Sequence, residues 1–199
     1  MKRTKTDADL QHAKVQLLTI WFGANDACLP HSPQHVPLAQ FSANLTAIIR
    51  TLKSPTSPHY APWTRILLLT CPPVNTLQRG AELAQRDPPL TLDREFDVTR
   101  QYAEAAKEVG EREGVPVVDV WTMLWEGCGK EERNLEKYLY DGLHVNELAY
   151  GVCARSIAMS LTSVIYGSYS LSMMGSSRRS QRTGQTSFLK GCRWSSLRM

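Results

Sequence analysis

No apolar run in this chain approaches the roughly 18–20 residues of a membrane span. The opening residues, Met1-Lys2-Arg3-Thr4-Lys5-Thr6-Asp7-Ala8-Asp9, are charged and hold no apolar export segment, so no signal peptide is read there. The cysteines are odd in number, five, and widely spaced, with no Cys-x-x-Cys among Cys28, Cys71, Cys128, Cys153 and Cys192. With no export signal they read as reduced thiols, which predicts a cytoplasmic protein. Acid is absent after Glu147, and this absence explains the charge.

The formal net charge is +4, and six basic residues from position 167 onward carry the excess: Arg178, Arg179, Arg182, Lys190, Arg193 and Arg198. Without them, 17 basic residues face 19 acidic ones in 1–166, a net of −2. The tail has no aromatic interleaving and no recognition motif, so nucleic acid is not an expected partner. What remains is one globular domain: 199 residues, 42% hydrophobic and 21% charged, are enough to bury a core. The expected organisation is a disordered lead-in at 1–14, a domain at 15–166 and a disordered basic tail at 167–199.

Along the domain, Val15–Phe22 is short, apolar and rich in β-formers, and it stops at Gly23, which predicts a buried parallel-type strand. Leu38, Phe41, Leu45, Ile48, Ile49 and Leu52 fall on one face of a helix over Pro37–Lys53. Arg65–Cys71 reads as a second buried strand, stopped by Pro72-Pro73. Asn75–Pro89 reads as a mixed loop or short helix. A helix over Leu92–Gly110 turns Leu92, Phe96, Ala103 and Ala106 inward. Val115–Val120 is a third strand, and Trp121–Trp125 a short helical turn whose aromatics belong to the core. Glu131–Leu139 is a short polar helix. The last helix starts at an Asn146 cap with Glu147 in its first turn, turns Ala149, Cys153, Ile157, Leu161 and Val164 inward, and ends near Tyr166. Strands alternating with helices predict a parallel sheet in a three-layer α/β sandwich.

Two stretches carry chemistry. Asp141-Gly142-Leu143-His144 places a carboxylate three residues before a histidine, a spacing that lets the acid fix the imidazole tautomer and leave the other ring nitrogen as a base. Gly23-Ala24-Asn25-Asp26 ends the first strand, where ligand sites of open α/β sheets lie. Gly23 permits a sharp turn, and the Asn25 amide can donate to an oxyanion. Cys28-x-x-His31-x-x-x-His35 has a spacing that would suit zinc, but Pro30 and Pro33 interrupt it and no partner cluster is evident. It reads as a plain loop, and neither metal nor cofactor is expected.

In those two stretches the chain resembles the SGNH (GDSL-type) hydrolases, whose G-x-N-D and D-x-x-H blocks they match in order and context. The wording of Leu18–Cys28 and Gln34–Leu38 resembles the isoamyl acetate-hydrolysing esterase branch, and the resemblance covers residues 15–166. It implies a flavodoxin-like α/β sandwich and hydrolysis of short-chain carboxylic esters by a Ser-His-Asp triad. His144 would be the general base, Asp141 its orienter and Asn25 the oxyanion-hole side chain. Gly23 would shape the turn and Asp26 brace it. The family's nucleophilic serine sits in a Gly-Asp-Ser block after an earlier strand, and this sequence contains neither Gly-Asp-Ser nor Gly-x-Ser-x-Gly.

The departure implies an incomplete fold, lacking the first strands, in an N-terminally truncated chain with no nucleophile and no turnover of its own. In a family-like sheet the missing strand would lie beside 15–22, leaving an apolar edge open to pairing with another chain. Two readings therefore stand from sequence: the bulk of an ester hydrolase acting on a small ester, or a non-catalytic truncated isoform or gene-model fragment that binds a partner, a second copy included, through that edge.

Overall fold

The computed structural model describes residues 14–175. The chain divides into two units, Met1–Leu161 and Thr162–Met199. In the first, three parallel strands lie in the order β1 (Leu17–Trp21), β2 (Arg65–Leu69), β3 (Val117–Val118). Between them run α1 (Leu38–Lys53), α2 (Thr76–Ala84) and α3 (Phe96–Glu113), followed by α4 (Val120–Gly127), a 3-10 turn (Glu132–Lys137) and α5 (Glu147–Gly175).

Strand β2 explains the layering. Ile66, Leu67, Leu68 and Leu69 are all buried, which is why the sequence shows an unbroken apolar run rather than alternation. Ile66 and Leu68 face a core with Phe41, Leu45 and Ile49 of α1 and Tyr102, Ala103, Ala106 and Val109 of α3. Leu67 and Leu69 face the other core, with Val120 and Leu124 of α4, Leu135, Leu139, Ala149 and Cys153. Two cores on two faces of one sheet make the three-layer α/β sandwich that the sequence predicts.

Several expectations change in detail. Strand β1 is not buried throughout: Ile20 alone is buried, and Val15 and Phe22 are each more than half exposed. The physical reason is its place: among the described residues β1 pairs with β2 only, so it is an edge. The third strand is two residues long, not six. Asp119 ends it by accepting the Thr122 N–H at 3.1 Å, the N-cap that starts α4. Trp121 and Trp125 pack with Phe96 at ring-centroid separations of 5.0 and 4.7 Å, in the core as expected. Of the mixed loop or short helix expected over Asn75–Pro89, the helix forms over Thr76–Ala84, where Asn75 caps α2 by accepting the Gln78 N–H at 3.1 Å. Helix α5 runs to Gly175, past the expected end at Tyr166. Residues 1–13 and 176–199, with most of the lead-in and tail, lie outside the described residues. No helix among the described residues is long and apolar enough to cross a membrane.

Candidate active site

The loop after β1 is a tight turn. Gly23 takes φ +113°, open to glycine at no cost, and a Cβ there would lie 3.2 Å from the Cys71 side chain. Asp26 accepts the Gly23 N–H at 3.1 Å, and the Ala27 N–H returns to the Gly23 carbonyl at 2.9 Å. Asp26 thus lies where it braces the turn that presents Asn25.

The second loop is pinched by an antiparallel bridge between Leu139 and Val145. The Tyr140 N–H donates to the His144 carbonyl at 2.8 Å, and Asn146 caps α5 by accepting the Ala149 N–H at 3.2 Å. At its tip Gly142 has φ +83°, and its carbonyl accepts the Asn75 N–H at 2.9 Å. The Asp141–His144 loop is therefore seated on the N-terminus of α2.

Asp141 accepts four hydrogen bonds. Oδ1 takes the backbone N–H groups of Leu143 at 3.1 Å and His144 at 2.8 Å; Oδ2 takes Arg79 Nη1 at 3.0 Å and His144 Nδ1 at 2.8 Å. Burial works to raise the Asp141 carboxyl, but the backbone N–H and ring of His144, the Leu143 N–H and the attraction of His144 outweigh it and hold the group below its ordinary value. An ionised carboxylate only accepts, so Nδ1 carries a proton toward Asp141, and Nε2 is the ring nitrogen left free of the carboxylate. The ring is 69% exposed.

His144 and Asn25, 119 positions apart, share the wall of one cavity of about 270 Å³, lined also by Trp21, Phe22, Pro72, Val145 and Tyr150. Trp21 meets Tyr150 edge-on at 6.1 Å and donates from Nε1 to the Thr70 carbonyl at 2.9 Å, which fixes the apolar floor. On the other side of Asn25, Leu143 and His144 lies a second cavity of about 260 Å³, polar, with Gln34, Arg79, Arg86, Asp93 and Arg94. Among the described residues no Ser, Thr or Cys lines either cavity. Cys71, at the end of β2, is no substitute nucleophile. Burial first, and then the Asp26 and Asp119 carboxylates, push its thiol up to about 12.

Three charged residues at the site escape a reading of the sequence. Arg79 is buried and forks onto Asp93, Nε to Oδ1 at 3.1 Å and Nη2 to Oδ2 at 3.0 Å. Arg94 is buried too. It donates to the Ala24 carbonyl and to Asn25 Oδ1, both at 2.9 Å, and pairs with Asp93. Burial works to raise the Asp93 carboxyl, and the two guanidinium groups overcome it and hold the group low. One signal existed: Arg79 stands four residues before Leu83, on the same buried stripe of α2. At the expected loop of Cys28, His31 and His35, the Cys28 thiol donates to Gln34 and the His35 ring meets the Cys28 carbonyl. Among the described residues no three such side chains gather to hold a metal.

A family model of the GDSL-like lipase/acylhydrolase family matches residues 2–152. The chain is 34% identical over 131 residues to an isoamyl acetate-hydrolyzing esterase 1 homolog of Bos taurus, covering 65% of this chain and 49% of that protein. It is 31% identical over 147 residues to a GDSL esterase/lipase of Arabidopsis thaliana, covering 72% and 57%. It thus spans about half the length of the curated relatives it matches. In fold it is similar to a lipase/acylhydrolase from Enterococcus faecalis (TM-score 0.53, 24% identity, 73% of this chain and 60% of that one). It is also similar to the acetylxylan esterase Axe2 from Geobacillus stearothermophilus (TM-score 0.51, 21% identity, 75% and 60%).

Proposed function

Because the chain belongs to the GDSL-like lipase/acylhydrolase family, we propose that its site serves the hydrolysis of carboxylic esters. The carrying observation is the 2.8 Å contact of His144 Nδ1 with Asp141 Oδ2, in a loop that shares a cavity wall with Asn25. In this reading His144 Nε2 takes the proton of an attacking hydroxyl, and Asp141 holds the ring in the tautomer that can do so. Asn25 donates from its amide nitrogen to the oxygen of the tetrahedral intermediate. The apolar cavity of Trp21, Phe22 and Tyr150 takes a small acyl or alkyl group. Gly23 and Asp26 hold the turn.

The attacking serine is not among these residues. The lack of Ser, Thr and Cys from both cavity linings among the described residues, and of a Gly-Asp-Ser block from the sequence, supports the reading that this chain holds the base and oxyanion donor of the hydrolytic site without its nucleophile and does not turn an ester over by itself. Losing a triad nucleophile costs on the order of 10⁶ in turnover in other hydrolases. Titrating a short-chain ester such as isoamyl acetate into labelled protein tests the site. The Asn25 side-chain amide and the His144 ring should shift together, and shifts at neither would sink the assignment. p-Nitrophenyl acetate tests the nucleophile: hydrolysis that His144→Ala abolishes would mean that a nucleophile is present.

A second reading, contact with another copy or partner through β1, is favoured by that strand's single neighbour among the described residues and by exposed Val15 and Phe22. Size-exclusion chromatography with light scattering decides it, and a stable monomer across a hundredfold concentration range counts against it.

A further inference from the structure

We infer that Arg79 and Arg94, joined through Asp93, are positioning residues that set the oxyanion donor and the base relative to each other as one rigid unit. The inference rests on the reading that Asn25 and His144 act on the same ester carbonyl. Neither arginine is assigned a role by that reading.

The contacts form an unbroken run. From Asn25 Oδ1 it passes to Arg94 at 2.9 Å, through the Arg94 pair with Asp93, and along the Asp93–Arg79 fork at 3.0 and 3.1 Å. It then crosses from Arg79 Nη1 to Asp141 Oδ2 at 3.0 Å and ends at His144 Nδ1, 2.8 Å from the same oxygen. The arginine side chains are 6% and 2% exposed, and the carboxylates 19% and 17%. Two guanidinium and two carboxylate groups balance, which offsets the desolvation that an unpaired buried charge would suffer.

At each end the chemistry dictates an orientation. Arginine only donates, so the amide oxygen of Asn25 has to face Arg94 and its NH₂ has to face away. A free asparagine amide rotates, and an oxyanion donor that rotates is lost for part of the time. At the other end Asp141 has four acceptor positions and all are filled, one of them by Arg79, so the carboxylate that aims His144 cannot swing. The two loops that carry these groups are far apart in sequence and share no strand pairing with each other. The planar arginine forks supply the link that the backbone lacks. Asp93 makes them a single device: without it each arginine would hold its own loop separately.

The test reads geometry, with no ester present, so its failure and that of the esterase reading are distinguishable. In the unaltered chain the Nε–H resonances of Arg79 and Arg94 should be resolved and slow to exchange with water. Exchange as fast as at exposed Arg100 (54%) overturns the proposal. Asp93→Asn keeps the side-chain shape and touches neither Asn25 nor His144. It should shift the Asn25 side-chain amide and the His144 ring nitrogens together, while backbone amides outside the two loops stay in place. Arg94→Lys and Arg79→Lys keep the charge but lose the fork, and each should move the far end as well as its own. Lys variants in which only the near end moves, or a folded Asp93→Asn in which neither end moves, refute the coupling. Should Asp93→Asn fail to fold, the Lys variants and the exchange measurement decide.

Discussion

Replacing Gly142 by alanine would put a methyl group against the first turn of α2. The new Cβ would press on the Arg79 backbone nitrogen, 2.8 Å from the Asn75 carbonyl oxygen and 2.9 Å from Arg79 Cα. These are backbone atoms of a capped helix and cannot rotate away. Two costs add. Alanine at φ +83° is strained by about 1–2 kcal/mol. Relief of the overlap means lifting the loop off α2, which breaks the Asn75 N–H bond to the Gly142 carbonyl and strands buried polar groups at about 1–3 kcal/mol. The expected loss is therefore about 2–5 kcal/mol. Gly129→Ala is the control, because Gly129 has φ +76° and nothing within 4 Å of its would-be Cβ, so it should show the strain alone. Urea unfolding of both variants against the parent reads the difference. If Gly142→Ala loses no more than Gly129→Ala, the seating of the Asp141–His144 loop on α2 is wrong.

Other outcomes follow from the same geometry. Asp93 and Asp141 are both held below the ordinary 3.8, so their contribution is present above the unfolded value and is lost as pH falls through the depressed folded values. The urea midpoint should fall below about pH 4, and Asp141→Asn should flatten that fall; an unchanged slope would count against it. Leu68→Ala, at a fully buried β2 position, should cost about 2–5 kcal/mol in the same assay, and a loss under about 1 kcal/mol would contradict the packing. Cys71, with its thiol pushed up to about 12, should resist iodoacetamide at pH 8 until denaturant is added. Labelling of the native protein at Cys71, read by peptide mass spectrometry, would refute its burial.

How much of this was legible depended on how local each signal was. The run Ile66–Leu69 announced a strand buried on both faces because the chain itself records burial on every side chain. The face of α1 was legible for the same reason, and Phe41, Leu45 and Ile49 are buried as the spacing requires. The Asp141–His144 contact closes over three residues, so the sequence could propose it, and Asn25 was flagged by its place at a strand end. The edge position of β1 was not written in its apolar run, which looks the same in the middle of a sheet. It was expected only from the neighbouring strand that the family resemblance implies to be missing, and the strand order β1-β2-β3 agrees among the described residues. The shortness of β3 was hidden because the capping role of Asp119 depends on where α4 begins. Arg79, Asp93 and Arg94 were the least visible. Their contacts reach up to 70 positions along the chain and obey no period, and apart from the four-residue spacing of Arg79 to Leu83 a charged residue in a polar stretch gives no sign that it is buried.

The sheet topology also bears on how the chain reaches this state. Leu17 pairs with Arg65, 48 positions on, and Leu68 with Val117, 49 positions on. Closing either loop costs about 3 kcal/mol of chain entropy before any ladder bond forms. No hairpin can start the sheet, so folding has to bring distant segments together at once and falls among the slower topologies. Helices α1 and α3 are built from local contacts and pack on one another in one core with Ile66 and Leu68 of β2, so they are the elements expected to form early. On that expectation the helical layer is the jig on which the sheet is assembled. In stopped-flow refolding Leu45→Ala in α1 should slow folding more than Leu69→Ala in β2, and the reverse order would refute it.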